Sequence, residues 1–507
     1  MAKNCASVLI DPPVCPKLPI LPTGLALALL LLRNGLSVRI IEKNAQFGRG
    51  QRGAGIMPRT LELSKILGIL SDFENLEVAP VPPMRTYTSP EGDGPVSETN
   101  FVERLPDQPH YHRINGLVIG QDDHMAFLGK ILDSEYGCKV EFFTELVTFE
   151  QNESNAVAHI KTPNSETLEE ARFDYLIGAD GGRSVNTFLV GDIEVKKGWT
   201  GDYWNAWGNR GLRFVTLRPY KRGGNYCNFF VVGGTGIDRE KAMVDRDYLV
   251  EQILTTIGKD RGLEFGDVVA SAMWTAKARM AESYGTGRVF LVGDAAHIHS
   301  PTGAQGLNSG VQDCSGTSLG VVKANSTFDM RQLGINYRGG SLVLDEYHES
   351  IEETVDPYRD GHDSKALAGD RAPEVPGLVR VSKGEQATAS LYDILDVVSH
   401  WVLIFGESGS DTRAVLDLVK SYPEGTLKCV IVLPRGSDVS QSSGEDDTVV
   451  LDHEGYAYRH YHAQEKEQRV VAIRPDGVRF DYALVTSVYR ADGLLSISVQ
   501  WYEGKTV

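Results

Sequence analysis

The chain has 507 residues, with 68 Asp and Glu against 51 Lys and Arg, so its formal net charge is −17. This length predicts two or three domains, and the acidic balance excludes DNA or RNA partners, which are bound by clustered basic residues. The longest apolar run, 25–32, is far shorter than a membrane span, and six scattered cysteines without a CxxC pair are typical of a cytoplasmic protein with free thiols.

The first residues of the chain alternate strand, helix and strand. Residues 7–10 and 37–42 have the apolar composition of buried strands, and residues 24–34 that of a helix. This alternation predicts a parallel sheet with a crossover helix. Residues 59–70 follow at helical spacing, and from the residues alone Arg52 and Arg59 are either surface charges or functional groups.

The middle of the chain predicts further strands. A Pro/Gly/Ser-rich loop at 80–95 ends the first module, and a helix is expected over 122–136. An antiparallel hairpin and a second sheet over 205–234 follow. Two short strands, in DYLIGADG and RVFLVGDAAH, run directly into glycines. These two strand ends, at Asp180 and Asp294, predict two loops that converge on one ligand.

The C-terminal part of the chain predicts a separate domain. Periodicity is lost beyond residue 315, and a new block begins near residue 366. Its segments WVLIFGES, CVIVLP and VVAIRPDG are strand-like and are separated by helical patterns. They predict a compact α/β domain of about 140 residues, an ordinary domain size.

The most specific motif is GDAAHIHSPTGAQGLNSGVQD, residues 293–313. An Asp at the carboxyl end of a buried strand can accept hydrogen bonds from a polyol. A glycine-rich turn that opens a helix presents free N–H groups, which favour negative charge. Asp294 and the helix start at Gly306, Leu307 and Asn308 are therefore predicted to bind a ligand with both features.

This motif resembles, nearly residue for residue, the signature of the flavoprotein aromatic hydroxylases of the phenol hydroxylase and p-hydroxybenzoate hydroxylase kind. GADGGRS, residues 178–184, resembles the family's second signature, which is associated with FAD and NADPH. LGINYRG and GDRAPEVPGL look like the approach to a thioredoxin-like C-terminal domain. The resemblance implies an α/β fold with a Rossmann-like FAD-binding domain, an embedded mixed-sheet substrate domain and a C-terminal thioredoxin-like domain.

The resemblance also implies domain boundaries, in which two domains are interleaved along the chain. They are 1–80, 111–190 and 286–325 for the FAD-binding domain, 81–110 and 191–285 for the substrate domain, 326–365 for a truncated connecting segment, and 366–507 for the thioredoxin-like domain.

Two groups of site residues are implied by the same resemblance. Glu42, which closes the second strand, matches the acid that binds the adenosine ribose. Arg52 and Gln121 match further positions that contact the cofactor. The complete cofactor-binding set is Gly24, Glu42, Arg52, Gln121, Asp180, Gly181, Gly293, Asp294, Gly306, Leu307 and Asn308. The catalytic set, near the substrate, is Arg279, Tyr284 and Pro301.

The activity implied by the resemblance is hydroxylation of a phenolic small molecule. NADPH would reduce the flavin, dioxygen would form a flavin C4a-hydroperoxide, and its distal oxygen would pass to the ring, the protein supplying orientation and electrostatics. NADPH would bind transiently, because no second nucleotide domain is visible. By analogy the tail domain is compatible with a homodimer.

The first phosphate loop departs from the family pattern. Residues 11–21, DPPVCPKLPIL, replace the two glycines of the GxGxxG loop, and Gly24 alone remains. Losing two or three N–H bonds to charged oxygens, at about 1.5–3 kcal/mol each, would weaken binding by roughly 10² to 10⁶. The alternative is a pseudoenzyme or non-functional gene product that does not hold FAD. An NAD-dependent dehydrogenase would need the very loop that is replaced.

His297 and His299 form an HxH pair that could suggest a metal. No carboxylate triad accompanies the pair, so the favoured interpretation is two structural histidines and no metal.

Overall fold

A computed structural model of the chain describes residues 6–10, 22–48, 53–76, 78–87, 94–100, 102–163, 165–179, 181, 188–198, 201–209, 213–219, 225–233, 237–274, 279–298, 305–316, 331–338, 343–345, 367–382, 385–406, 410–437, 448–465 and 468–484. In these ranges no helix is long and apolar enough to cross a membrane. The chain divides into two compact units. The N-terminal unit is Met1–Met57, Asp72–Leu105 and Asn115–Gly320, and the C-terminal unit is Pro58–Ser71, Pro106–Ile114 and Val321–Val507.

A six-stranded sheet organises the N-terminal unit. Its spatial order is Gly285–Thr286, Val289–Leu291, Tyr175–Gly178, Ala6–Ile10, Val38–Glu42 and Val140–Phe142. Every neighbouring pair is parallel except the first, which is an antiparallel hairpin. The carboxyl ends of five strands therefore lie along one edge, where ligands of open parallel sheets bind.

Three helices accompany this sheet: Pro22–Arg33, Gln121–Tyr136 and Gln305–Gly316. The first crosses from Ala6–Ile10 to its parallel neighbour Val38–Glu42, as a βαβ unit requires. Its Leu25, Ala28 and Leu29 are completely buried. Gln121–Tyr136 ends at Gly137, whose φ of 63° is the left-handed conformation that glycine adopts without strain.

A seven-stranded sheet is the second large sheet of the N-terminal unit. Its order is Glu264–Trp274, Phe188–Lys197, Tyr226–Gly233, Arg213–Pro219, Trp204–Asn209, Met84–Tyr87 and Ser97–Thr99. Alternate residues such as Val215, Leu217, Phe229 and Val231 form a buried core. The helix Arg246–Ile257 adds Leu249, Ile253 and Ile257 to the same core, as its apolar spacing requires.

Shorter elements complete the part of the chain before the tail. Two three-stranded sheets are present. The first has the order Glu169–Phe173, Ala156–Lys161 and Glu145–Gln151. The second has the order Gly55–Ile56, Leu117–Val118 and Ala79–Pro80. Arg279–Met280 pairs with His297–Ile298. The remaining helices are Leu70–Glu74, Arg239–Val244, Lys259–Arg261 and Gly293–Ala295, the last two of 3₁₀ type.

An eight-stranded sheet forms the core of the C-terminal unit. Its order is Leu344–Asp345, Arg479–Leu484, Arg469–Ile473, His400–Phe405, Leu427–Pro434, Thr448–Asp452, Leu378–Ser382 and Glu385–Ala389. His400–Phe405, Leu427–Pro434 and Thr448–Asp452 are parallel, and His400–Phe405 is buried at every position, as a strand covered on both faces must be. The helices of this unit are Pro58–Ile66, Leu391–Ile394, Ser410–Lys420 and Tyr456–His460.

The α/β fold agrees with the sequence prediction, and the thioredoxin-like character of the tail stays a prediction. One predicted helix needs correction. Residues 59–70 do not form a single helix but separate into Pro58–Ile66 and Leu70–Glu74. Gly68 ends the first helix with a φ of 71° and donates its N–H to the Lys65 carbonyl. A residue in this left-handed conformation cannot continue the helix.

Candidate functional site

The carboxyl edge of the six-stranded sheet brings two predicted loops side by side. Tyr175–Gly178 and Val289–Leu291 are parallel neighbours, with Gly178 opposite Leu291. The Val292 N–H extends this pairing and donates to the Gly178 carbonyl at 3.0 Å. The residues that follow each strand therefore start from adjacent positions, although Asp180 itself lies outside the described residues.

Glu42 is the last residue of Val38–Glu42, which lies two strands away from Tyr175–Gly178 in the same sheet, and its side chain is 1% exposed. Its Oε1 accepts hydrogen bonds from the Asn44 backbone N–H at 2.8 Å and from Asn44 Nδ2 at 2.5 Å. Its carbonyl accepts the Thr144 N–H at 3.0 Å. A carboxylate held in this way has a fixed position at the strand end, and its predicted contact with a ribose stays a prediction.

The turn after Val289–Leu291 is a short 3₁₀ helix, Gly293–Ala295, which we name the Asp294 turn. Gly293 starts it with a φ of 59°, a conformation that glycine adopts without steric cost. A Cβ at Gly293 would also lie 3.0 Å from Thr23 Oγ1. Glycine is thus required after this strand for two reasons, the left-handed backbone conformation and the lack of space for a side chain.

The helix Gln305–Gly316, which we name the site helix, begins beside Asp294. A Cβ built on Gly306 would lie 3.5 Å from Asp294 Oδ1. The structure therefore brings Gly293, Asp294 and Gly306 together. The carboxylate and the first turn of the helix supply an acceptor and a positive dipole end in one place.

Asn308 is completely buried and spans two segments of the chain. Its Oδ1 accepts the Met57 N–H at 2.8 Å, and its Nδ2 donates to the Gly55 carbonyl at 2.9 Å. This side chain positions the strand Gly55–Ile56, while Leu307 beside it is half-buried. Because the Asn308 side chain is hydrogen-bonded to the protein backbone, the predicted cofactor contacts at this helix start are its backbone N–H groups.

His297 and Asp313 form a pair that the sequence prediction did not assign. His297 Nε2 lies 2.5 Å from Asp313 Oδ2, and the same oxygen accepts the Gly293 N–H at 2.9 Å. Burial by itself would lower the pKa of His297, but its hydrogen bond to Asp313 and the charges of Asp313 and Asp294 raise it above the ordinary value. The Tyr284 ring lies 5.8 Å from the His297 ring between centroids.

Small residues bring the site helix close to Pro22–Arg33. A Cβ on Gly310 would overlap Thr23 Oγ1, and the Cys314 Sγ donates to the Thr23 carbonyl at 3.3 Å. Gly24 is buried one position further along Pro22–Arg33. Gly24 therefore belongs to a helix packed beside the site.

The other predicted site residues are placed as follows. Gln121 starts its helix, and its Oε1 accepts the Gly53 N–H at 3.3 Å. Gly181 has a φ of 75°. Arg279 begins the strand Arg279–Met280, and its side chain lies outside the description. Arg52, Pro301 and His299 also lie outside the described residues.

The residues missed from the sequence are Thr23, Gly310, His297 as a positioned group, and Asp313. One local signal pointed to Asp313. It stands in the last half of the site helix, where negative charge opposes the helix dipole and a positively charged partner is favourable. No group of three metal-binding side chains occurs among the residues described.

Known protein sequences are similar to much of this chain. A family described as an FAD binding domain matches residues 22–320. Over 447 residues the chain is 28% identical to a flavin-dependent monooxygenase of Mycobacteroides abscessus, covering 76% of this chain and 87% of that protein. It is 25% identical over 310 residues to pentachlorophenol 4-monooxygenase of Sphingobium chlorophenolicum, covering 58% of this chain and 55% of that protein.

Solved structures show the same fold. The flavin-dependent monooxygenase PieE, in complex with FAD and substrate, matches with a TM-score of 0.75 and 16% identity over 97% of this chain and 98% of that one. Aklavinone-11 hydroxylase with FAD and aklavinone matches with a TM-score of 0.71 and 20% identity over 98% and 99%. At these identities the similarity is one of fold alone.

Proposed function

Because this chain belongs to the FAD binding domain family, we propose that it is an FAD-dependent monooxygenase that uses NADPH to hydroxylate a phenolic or other aromatic small molecule. The relatives support this class, since they include a flavin-dependent monooxygenase and a pentachlorophenol 4-monooxygenase. The chain spans about half the length of the second of these, so its particular substrate is part of the proposal.

The observation that carries the proposal is the contact between the Asp294 turn and the site helix. Asp294 Oδ1 would lie 3.5 Å from a Cβ on Gly306, so bare backbone faces a carboxylate there. A polyol chain needs such an acceptor, and a charged ring edge needs the N–H groups of a helix start. These residues fit the ribityl and ring portion of FAD. The loop that would face the pyrophosphate, at 11–21, lies outside the described residues.

The chain's own residues have separate tasks in this proposal. FAD, when bound, would supply hydride acceptance from NADPH and the activation of dioxygen. Asp294 would accept hydrogen bonds from the ribityl hydroxyls, and the N-terminus of the site helix would stabilise negative charge on the ring. Glu42 would accept hydrogen bonds from the adenosine ribose. Asn308 would keep the strand Gly55–Ile56 in place beside the helix.

Titration of the purified protein with FAD tests the proposal. The visible bands of bound flavin should develop, and a phenol should stimulate NADPH oxidation. Asp294→Asn should raise the Kd for FAD by roughly 10- to 150-fold, because a hydrogen bond to a charged group contributes about 1.5–3 kcal/mol. Asp133→Asn, on an exposed part of Gln121–Tyr136, is the matched control and should leave the Kd unchanged.

The second candidate is a pseudoenzyme of the same family. The sequence of residues 11–21 favours it, because four prolines there lack a donor N–H where the family has glycines. A protein that retains no flavin once free FAD is removed, after incubation at concentrations well above those that saturate flavoproteins, would support this candidate and refute the monooxygenase.

A further inference from the structure

A buried histidine–aspartate pair connects the two elements that the proposed function requires. His297 follows the Asp294 turn, and Asp313 lies on the site helix. Their side chains are only 8% and 17% exposed. On the basis of the proposed function, this pair has a task that the cofactor-contacting residues do not perform.

Asp313 uses one oxygen to hold both ends of the Asp294 turn. Its Oδ2 accepts the N–H of Gly293, the first residue of the turn, at 2.9 Å, and lies 2.5 Å from Nε2 of His297, two residues beyond the end of the turn. Across the turn, the Ala296 N–H donates to the Gly293 carbonyl at 2.8 Å. Asp294 is therefore carried on a segment that is tied down on both sides.

The site helix presents these contacts on one face. Gly306, Gly310 and Asp313 are spaced by four and three residues, which places them on one side of a helix. Gly306 lies beside Asp294, Gly310 beside Thr23 and the Gly293 Cα, and Asp313 beside Gly293 and His297. A shift of the site helix against the Asp294 turn would therefore have two effects at once. It would break the ion pair between His297 and Asp313, and it would change the position of the Asp294 carboxylate relative to the helix start.

We propose that Asp313 and His297 are positioning residues that hold the Asp294 carboxylate at the first turn of the site helix and so set the affinity of the protein for FAD. Neither side chain need touch the cofactor. Because the pair acts through Asp294, its loss weakens FAD binding even when Asp294 and the helix start are intact.

Protonation of His297 makes this device dependent on pH. Among the residues that the structure describes, Asp313 on the site helix, Asp294 on the turn and the Tyr284 ring face His297. The two carboxylates outweigh burial and raise the pKa of His297. For a raised pKa, the stabilisation is complete below the unfolded value of about 6.5 and is lost as pH rises through the folded value. FAD affinity should therefore fall on the alkaline side.

The test measures the Kd for FAD and backbone hydrogen exchange in wild type, Asp313→Asn, His297→Gln and the double variant. Each single variant should raise the Kd at least tenfold, and the double variant should be no worse than the more affected single one, because both remove one pair. Between pH 6 and 9 the wild-type Kd should rise, and the His297→Gln Kd should stay flat. His159→Gln and Asp133→Asn are controls and should keep the wild-type profile.

Hydrogen exchange of the apoprotein separates this inference from the proposed function. In Asp313→Asn the Gly293 amide should exchange faster than in wild type, whether or not FAD binds. A wild type that binds no FAD would overturn the proposed function. A wild type that binds FAD, with variants whose Kd, pH profile and Gly293 exchange are unchanged, would overturn the positioning role alone. If one of the two single variants does not fold, the Kd, the pH profile and the Gly293 exchange of the other single variant against wild type still decide.

Discussion

Glu62, in the C-terminal unit, shows how a fully buried charge is accommodated at the level of single residues. Its Oε2 accepts from Arg59 Nη1 at 3.1 Å, and its Oε1 accepts from Arg371 Nη1 at 3.0 Å. Burial raises the pKa of Glu62, and the two guanidinium groups oppose that shift. Arg59 donates further to the Asp476 carbonyl, and Arg371 to the Tyr392 hydroxyl. Glu62 is thus the carboxylate that the two buried guanidinium groups share.

Replacement of Glu62 by alanine should strongly destabilise the C-terminal unit. Two guanidinium groups would remain buried without their carboxylate, a change that costs about 3–5 kcal/mol of unfolding free energy. Urea titration followed by fluorescence is the measurement. Glu135→Ala, which removes an exposed partner of Arg33, is the control and should cost less than about 1 kcal/mol. Equal losses in the two variants would contradict the assigned burial.

At the level of elements, the contact between Pro22–Arg33 and the site helix depends on the absence of a side chain. Gly310 lies against Thr23 Oγ1. A Cβ added to Gly310 would also lie 3.3 Å from the Gly293 Cα. Any larger residue must push the helices apart or displace the Asp294 turn. Protein interiors resist such displacement because they are close-packed.

Gly310→Ala should therefore lower the free energy of unfolding of the N-terminal unit by about 1–3 kcal/mol, the usual cost of overpacking. Thr23→Ala in the same chain removes the overlapping hydroxyl group and should recover most of that loss. Thermal and urea unfolding provide the comparison. Gly94→Ala has open space around its Cβ and is the matched control. If Thr23→Ala gives no recovery, the steric explanation is wrong.

At the level of the whole molecule, each unit buries a neutral histidine. His124 packs edge-on against Phe73, with ring centroids 5.4 Å apart, in the N-terminal unit. His400 begins the central strand of the C-terminal unit. Burial lowers the pKa of both to about 4, and the charge of Arg474 adds to the effect at His400. Both units are therefore expected to lose stability when these histidines are forced to take up protons.

Acid unfolding tests this expectation. The stabilisation from a lowered histidine pKa is present above the unfolded value of about 6.5 and is lost as pH falls toward about 4. At pH 4 each histidine should cost roughly 3 kcal/mol, and His124→Phe or His400→Phe should flatten the pH dependence of its own unit. Unfolding monitored by fluorescence from pH 8 to 4 gives the slopes, with His159→Gln as control. Unchanged slopes in both variants would contradict the assignment.

Much of the fold could be predicted because it depends on local spacing. The strands Tyr175–Gly178 and Val289–Leu291, the helix Gln121–Tyr136 and the tail strand His400–Phe405 lie where the periodicity indicated. The helix break at Gly68 was missed, because apolar spacing continues through a residue whose left-handed conformation ends the helix. Arg59 is buried, although its sequence allowed a surface charge.

The sequence by itself determined the class of fold, the motif at 293–313 and the family, since these depend on residue types at short, regular separations. Only the tertiary structure decided that Asn308 holds Gly55 and Met57, that Asp313 holds Gly293 and His297, and that Glu62 joins Arg59 to Arg371. Several of these partners lie hundreds of positions apart. Their contact depends on the order of strands in a sheet and on close packing. Neither of these produces a periodic pattern in the sequence.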